Sequence, residues 1–283
     1  MRLILILLSL ALSLFPAPPQ RIVSTGPSIT EILFALGLGP KVVGVTQYCT
    51  YPLEAQKIKK IGTWMTPNME AILETRPDLI LVQKTGIHDD ARYKAMSLNS
   101  MMVRLDSVDD ILQATETIGA ATGTQARAAQ LVSEIRRELE AVRKRVQGRK
   151  PARALFIVGR TPGALEGLIA VGKGSYISGV IEYAGGRNIF EDSVVAYPKI
   201  LHEAILERDP EVIIDMGEHP DAAPISDAQR QAEIGLWRKY PSLSAVKNNR
   251  VNIVSSDLFV HPGPRVVELA RVLARLFHPE LFR

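Results

Sequence analysis

One cysteine, Cys49, stands in 283 residues, which excludes an intramolecular disulfide. A lone thiol in an exported chain is either buried or reactive, and Cys49 lies far from the N-terminus, where a lipid-modifiable cysteine would sit. Long apolar runs are also scarce. Only residues 3–15 form one, and thirteen helical residues span about 20 Å, short of a bilayer core of roughly 30 Å. With Arg2 before it and Pro16-Ala17-Pro18-Pro19 after it, the run reads as a secretory signal over residues 1–17. A cut after Ala17 leaves proline next, Ala11-Leu12-Ser13 offers another site, and an uncleaved anchor stays open.

A large excess of one charge is lacking: 34 Lys and Arg stand against 30 Asp and Glu, a net of +4 with pI near 9.2. Arg136, Arg137, Arg143, Lys144, Arg145, Arg149 and Lys150 supply much of the excess, and no aromatic residue interleaves with them. A solvated helix face explains them better than a nucleic-acid stripe, so no nucleic-acid partner is expected. The five histidines (His88, His202, His219, His261, His278) are scattered, without paired spacing for a dedicated zinc site. No Gly-x-Ser-x-Gly elbow occurs. Gly167 to Lys173 nearly spells a phosphate loop, but Gly174 stands where Ser or Thr is required. These absences argue against an enzyme and against a resident cofactor or metal.

What is present is a repeat. Glu70-Ala-Ile-Leu-Glu-Thr-Arg-Pro-Asp-Leu-Ile-Leu81 returns as Glu203-Ala-Ile-Leu-Glu-Arg-Asp-Pro-Glu-Val-Ile-Ile214, 133 residues later. One repeat at half-length predicts two similar lobes with a cleft between them, where ligands commonly bind. Short apolar strands alternate with helices, which predicts an α/β fold with mostly parallel sheets. Strands are expected at 21–25, 42–45, 79–83, 101–105, 154–158 and 251–254. Helices are expected at 69–75, 109–121, 176–183 and 266–277. Ser28 with Glu31 has the spacing of a capping box opening a helix. Ala128, Leu131, Ile135, Leu139, Val142 and Val146 step by three or four, predicting one long helix. The organisation is then an N-terminal lobe at 21–122, a connecting helix at 123–148 and a C-terminal lobe at 152–283. A single connecting helix permits only a modest hinge.

Aromatic residues make up only 6% of the chain, yet Tyr48, Tyr51, Trp64, Tyr197 and Phe259 fall in loops beside strand ends. Ligands bind at such ends in α/β folds, and rings hold flat ligands by stacking. The alternative is that they plug the edges of the lobes. Asp257, following a strand, would reach a ligand amide or cap a turn. Glu70 and Glu203 occupy equivalent points of the two lobes, where a two-fold symmetric partner would grip them; the local alternative is an acid favoured in the first helical turn.

Several stretches together resemble one family: Arg21-Ile-Val-Ser-Thr-Gly-Pro-Ser-Ile-Thr-Glu31, Val43-Gly-Val-Thr-Gln-Tyr48-Cys-Thr-Tyr-Pro52, Asn68-Met-Glu70, Arg76-Pro-Asp-Leu-Ile80, Ala184-Gly-Gly-Arg-Asn-Ile-Phe190, Asp209-Pro-Glu-Val-Ile213 and Ser256-Asp257-Leu-Phe259. They resemble the periplasmic substrate-binding proteins of ABC importers for vitamin B12, iron-siderophores and haem, most of all the vitamin B12 branch. The resemblance implies a monomeric periplasmic receptor that performs no chemistry. It implies a corrinoid or other metal chelate as ligand, lined by Tyr48, Trp64, Tyr197 and Asp257. It further implies docking through Glu70 and Glu203 to arginines of a dimeric ABC permease. The branch can carry a tryptophan where this chain has Gln83-Lys84, and can carry one at Tyr197. With Arg104 and Arg160 suited to anionic chelates, a ferric siderophore or haem stays open. A zinc or manganese receptor and an exported enzyme are the more distant readings.

Overall fold

The computed structural model describes residues 17–85, 90–217 and 225–282. The signal segment, apart from Ala17, lies outside the described residues, as do His88 and His219. The N-terminal lobe runs β1 (Ile22–Ser24), α1 (Pro27–Ala35), β2 (Val42–Val45), α2 (Met69–Glu74), β3 (Leu79–Gln83), α3 (Ala91–Ala95), β4 (Ser100–Val103) and α4 (Val108–Thr122). Its strands lie parallel in the order β2-β1-β3-β4. Register sets Ser24 beside both Val45 and Leu81, so the segments after β1, β2 and β3 leave the sheet at one edge.

The long helix α5 (Gln125–Val146) follows; its 22 residues span roughly 33 Å. The C-terminal lobe then runs β5 (Ala152–Gly159), β6 (Ile169–Ala170), α6 (Tyr176–Tyr183), β7 (Gly186–Asn188), α7 (His202–Arg208), β8 (Val212–Asp215), α8 (Asp227–Trp237), α9 (Ser244–Lys247), β9 (Val251–Ile253) and α10 (Val266–Phe277). Here β7, β8 and β9 run parallel to β5, β7 on one side and β8 then β9 on the other. This is the N-terminal order again, with β6 added antiparallel beside the end of β5.

The repeat reaches beyond the residues that read alike. Arg76 and Asp209 each leave their helix with positive φ, 46° and 40°. Arg21 donates from Nε and Nη2 to the Thr75 carbonyl, and Arg153 does the same to the Asp209 carbonyl. Asp78 accepts from the backbone N–H of Arg21, and Glu211 from that of Arg153. In each lobe one arginine thus satisfies the carbonyls freed where the helix stops.

The capping box does not form. Pro27, with its φ already suited to a first helical position, starts α1 with Gly26 at the N-cap, so Ser28 is already inside the helix. Glu31 is 3% exposed and turns instead to Arg265 of the other lobe.

The inner faces of both sheets share one apolar core. Ile29 and Leu33 of α1, Ile111 and Ile118 of α4, Leu131 and Ile135 of α5, Val180 of α6 and Leu269 and Leu273 of α10 belong to one cluster. Val23, Ile72 and Ile80 back the outer face of one sheet, and Leu155, Ile213 and Trp237 that of the other. Arg271 pairs with Glu138, fastening α10 to α5. Among the described residues no helix is long and apolar enough to cross a membrane.

Candidate functional site

A cleft of about 620 Å³ opens between the lobes at the carboxyl ends of β1, β2 and β3. In parallel sheets this edge, where the strand order reverses, is where ligands bind. Thr25 to Ser28 form its floor, with the Thr25 hydroxyl donating to the Leu81 carbonyl at 3.0 Å. Val82, Gln83, Thr85, Arg92 and Tyr93 line one side.

Tyr48 sits on the turn after β2, which Cys49 anchors. The Cys49 thiol is wholly buried and lies 3.2 Å from the hydroxyls of both Thr30 and Thr46. Burial pushes its pKa up, against the smaller pull of those hydroxyls, so the thiol is a buried anchor.

Trp64 stands at the tip of a tight hairpin. Gly62 there has φ 91°, and a side chain would meet the Thr66 carbonyl at 2.5 Å. The Thr63 and Thr66 hydroxyls bond at 2.8 Å and close the loop, leaving Trp64 43% exposed.

Across the cleft stands Tyr197. Its loop rests on the run that resembled a phosphate loop: Gly172 N–H donates to Ala196 O and Lys173 N–H to Ser193 O, both at 2.9 Å. A Cβ on Gly172 would lie 2.0 Å from Val195 O, so the glycine is there for backbone approach. The Ser175 hydroxyl donates to the Tyr197 hydroxyl at 3.2 Å. Burial of that phenol end raises its pKa, although 45% of the residue's surface stays open.

The structure therefore brings Tyr48, Trp64 and Tyr197 to one cleft. It does not bring Asp257 to that lining. Asp257 opens a short turn after β9 and pairs with Arg265 at 3.1 Å. Burial alone would raise its carboxyl, but the hydrogen bond and charge of Arg265 outweigh this and hold it below its ordinary value. Arg265 also grips Glu31 through two bonds, at 3.0 and 2.5 Å, and lies 4.1 Å from the centre of the Tyr51 ring. Desolvation would lower its pKa, yet the two carboxylates hold it above the usual arginine range. The network joins α1 and the Tyr51 turn of one lobe to the 257–265 segment of the other.

Glu31, Asp257 and His261 offer donor atoms within 4.8 Å of one another, the geometry of a candidate metal site. Arg265 already bonds both carboxylates, so a guanidinium holds the place a cation would take. A larger groove, about 760 Å³, flanks the same contact but lies away from the strand ends.

Glu70 and Glu203 are exposed at the second position of α2 and α7, and neither pairs with a described cation. Leu73 and Leu206, three residues on, are each 42% exposed. Arg160 is not offered to the cleft: its side chain is fully buried against Asp215 and Glu233, at 3.1 and 2.8 Å. Arg104 is exposed beside Asp106.

Sequence reasoning missed Tyr93, His261 and Pro262 as lining, and the Glu31–Arg265 contact altogether. That contact spans 234 residues, and no local spacing signals it.

The model of the family described as "Periplasmic binding protein" matches residues 22–258. A vitamin B12-binding protein of Vibrio cholerae serotype O1 is 31% identical over 259 residues, covering 89% of this chain and 87% of that protein. An uncharacterised ABC transporter substrate-binding lipoprotein of Bacillus subtilis is 29% identical over 273 residues, covering 94% and 82%. The crystal structure of the periplasmic vitamin B12-binding protein of Vibrio cholerae superposes with a TM-score of 0.78 at 27% identity, over 93% of this chain and 98% of that one. With its mostly parallel sheets in two lobes joined by one helix, the chain belongs to the periplasmic binding protein family.

Proposed function

We propose that this protein is an exported receptor that captures a corrinoid between its lobes and hands it to a dimeric ABC permease. The observation that carries this is the cleft itself. Tyr48 and Trp64 from one lobe face Tyr197 from the other across about 620 Å³, at the sheet edge where ligands bind. Three partly exposed rings suit a flat macrocycle, and the vitamin B12-binding relative points the same way. The protein performs no chemistry on its cargo and works as a monomer in the periplasm. Glu70 and Glu203, unpaired with described cations and set at equivalent points, present one acid per lobe to the two halves of a symmetric permease.

The test is a calorimetric titration of the mature protein with cyanocobalamin. Saturable one-to-one binding at sub-micromolar concentration is the expected result. Absence of heat and of competition would move the ligand to haem or a ferric siderophore while leaving the docking proposal standing.

A further inference from the structure

Resting on the reading of the cleft as a metal-chelate site, we propose that His261 supplies an axial ligand to the chelated metal through Nε2, with Glu31 behind the ring. The ring lines the cleft between Val260 and Pro262. Its Nδ1 is buried with no hydrogen-bond partner, and Glu31 Oε1 lies 3.8 Å from it. Glu31 is absent from the cleft lining and held in place by Arg265. The side chain is 16% exposed, so that open surface belongs to the edge away from Nδ1 and faces the cleft.

A neutral imidazole carries one N–H and one lone pair. A lone pair on Nδ1 would face a carboxylate, so the proton belongs on Nδ1 and the lone pair on Nε2, toward the cleft. Metal-ligating histidines have their other N–H hydrogen-bonded to a carboxylate or carbonyl; at 3.8 Å the Glu31 carboxylate acts on the Nδ1–H by charge alone, which favours this tautomer without a hydrogen bond. The segment is rigid besides. His261 N–H donates to Asp257 O at 3.1 Å, Pro262 and Pro264 flank Gly263, and a Cβ on Gly263 would lie 3.1 Å from Glu31 Oε2.

The step is a ligand exchange. The metal–water bond breaks, a metal–Nε2 bond forms, the water leaves, and the proton stays on Nδ1; no oxidation state changes. It requires a chelate with a labile axial position, which an aquated corrinoid and haem have and a ferric ion fully wrapped by a siderophore lacks. The site therefore selects planar macrocyclic chelates.

Aquocobalamin, cyanocobalamin and haemin serve as probes, each followed by calorimetry and by absorption spectroscopy. Aquocobalamin should shift its near-ultraviolet band on binding and bind about tenfold tighter than cyanocobalamin, whose cyanide is retained. His261→Gln should remove both the shift and the preference, and imidazole added to His261→Gly should restore the shift. One-to-one aquocobalamin binding without a shift, or a shift that survives His261→Gln, overturns the ligation and leaves the receptor reading intact. Binding of haemin alone, with a shift lost in His261→Gln, supports ligation and names the cargo. If none of the three binds, the macrocycle reading of the cleft fails and the ligation with it.

Discussion

Trp64 and Trp237 are the two tryptophans of the chain, and their surroundings could hardly differ. Trp64 is 43% exposed at the cleft, whereas Trp237 is 1% exposed and donates from Nε1 to Asp215 Oδ2 at 2.8 Å. Ligand-induced quenching of intrinsic fluorescence should therefore come from Trp64 and disappear in Trp64→Phe. Quenching that persists there would remove Trp64 from the binding surface. Trp64→Ala should weaken cyanocobalamin binding by about 1–2 kcal/mol, roughly five- to thirtyfold, as the loss of one stacked ring. At this scale the sequence was informative about Tyr48, Trp64 and Tyr197, because large rings beside strand ends lead to an edge that topology alone defines. Neither Asp257 nor Arg160 lies in the cleft lining: Asp257 turns to Arg265, eight residues on, and Arg160 to Asp215 and Glu233, 55 and 73 residues away.

Elements with strong periodicity could be read directly. The segments Tyr176–Tyr183 and Val266–Phe277 are helices and Leu79–Gln83 is a strand over the spans their apolar spacing gives. The strand Gly186–Asn188 could not be read that way, since Gly-Arg-Asn has no apolar alternation; it is a strand because Ala152 to Ala154 offer it a parallel edge. The Gly172 turn was legible as glycine-rich but not as to purpose. Gly172→Ala puts a methyl group 2.0 Å from Val195 O, so the loop bearing Tyr197 must move. We expect a stability loss of about 1–3 kcal/mol by chemical denaturation and weaker cyanocobalamin binding. An unaltered midpoint and affinity would show that the loop does not depend on this contact.

Across the whole molecule, the lobes meet through the shared core along α5 and through the Glu31–Arg265–Asp257 network. Arg265→Ala strands Glu31 in a site where it is 3% exposed, and should cost about 3–5 kcal/mol in urea unfolding. Asp257 has a depressed pKa, so its contribution is present above the ordinary aspartate value near 3.8 and is lost as pH falls below it. Asp257→Asn should flatten the melting temperature against pH below about 4, and an unchanged slope would exclude Asp257 as its source. On the proposed function Glu70 and Glu203, exposed on opposite lobes, serve docking and take no part in holding the ligand. Glu70→Ala with Glu203→Ala should spare cyanocobalamin binding yet impair uptake in a reconstituted importer; undiminished uptake would refute the docking role. Surface pairs contribute only about 0–1 kcal/mol each, so these acids set orientation more than affinity.

By itself the sequence determined the α/β class, the repeat and the long helix, because apolar spacing and shared turn chemistry are written within a few residues of one another. Only the tertiary structure decided which polar groups meet: Arg265 with Glu31, Arg160 with Asp215 and Glu233, His261 with the cleft. Such pairings follow from where the folded lobes set side chains far apart in the chain, and charge complementarity at that range leaves no periodic trace in the sequence.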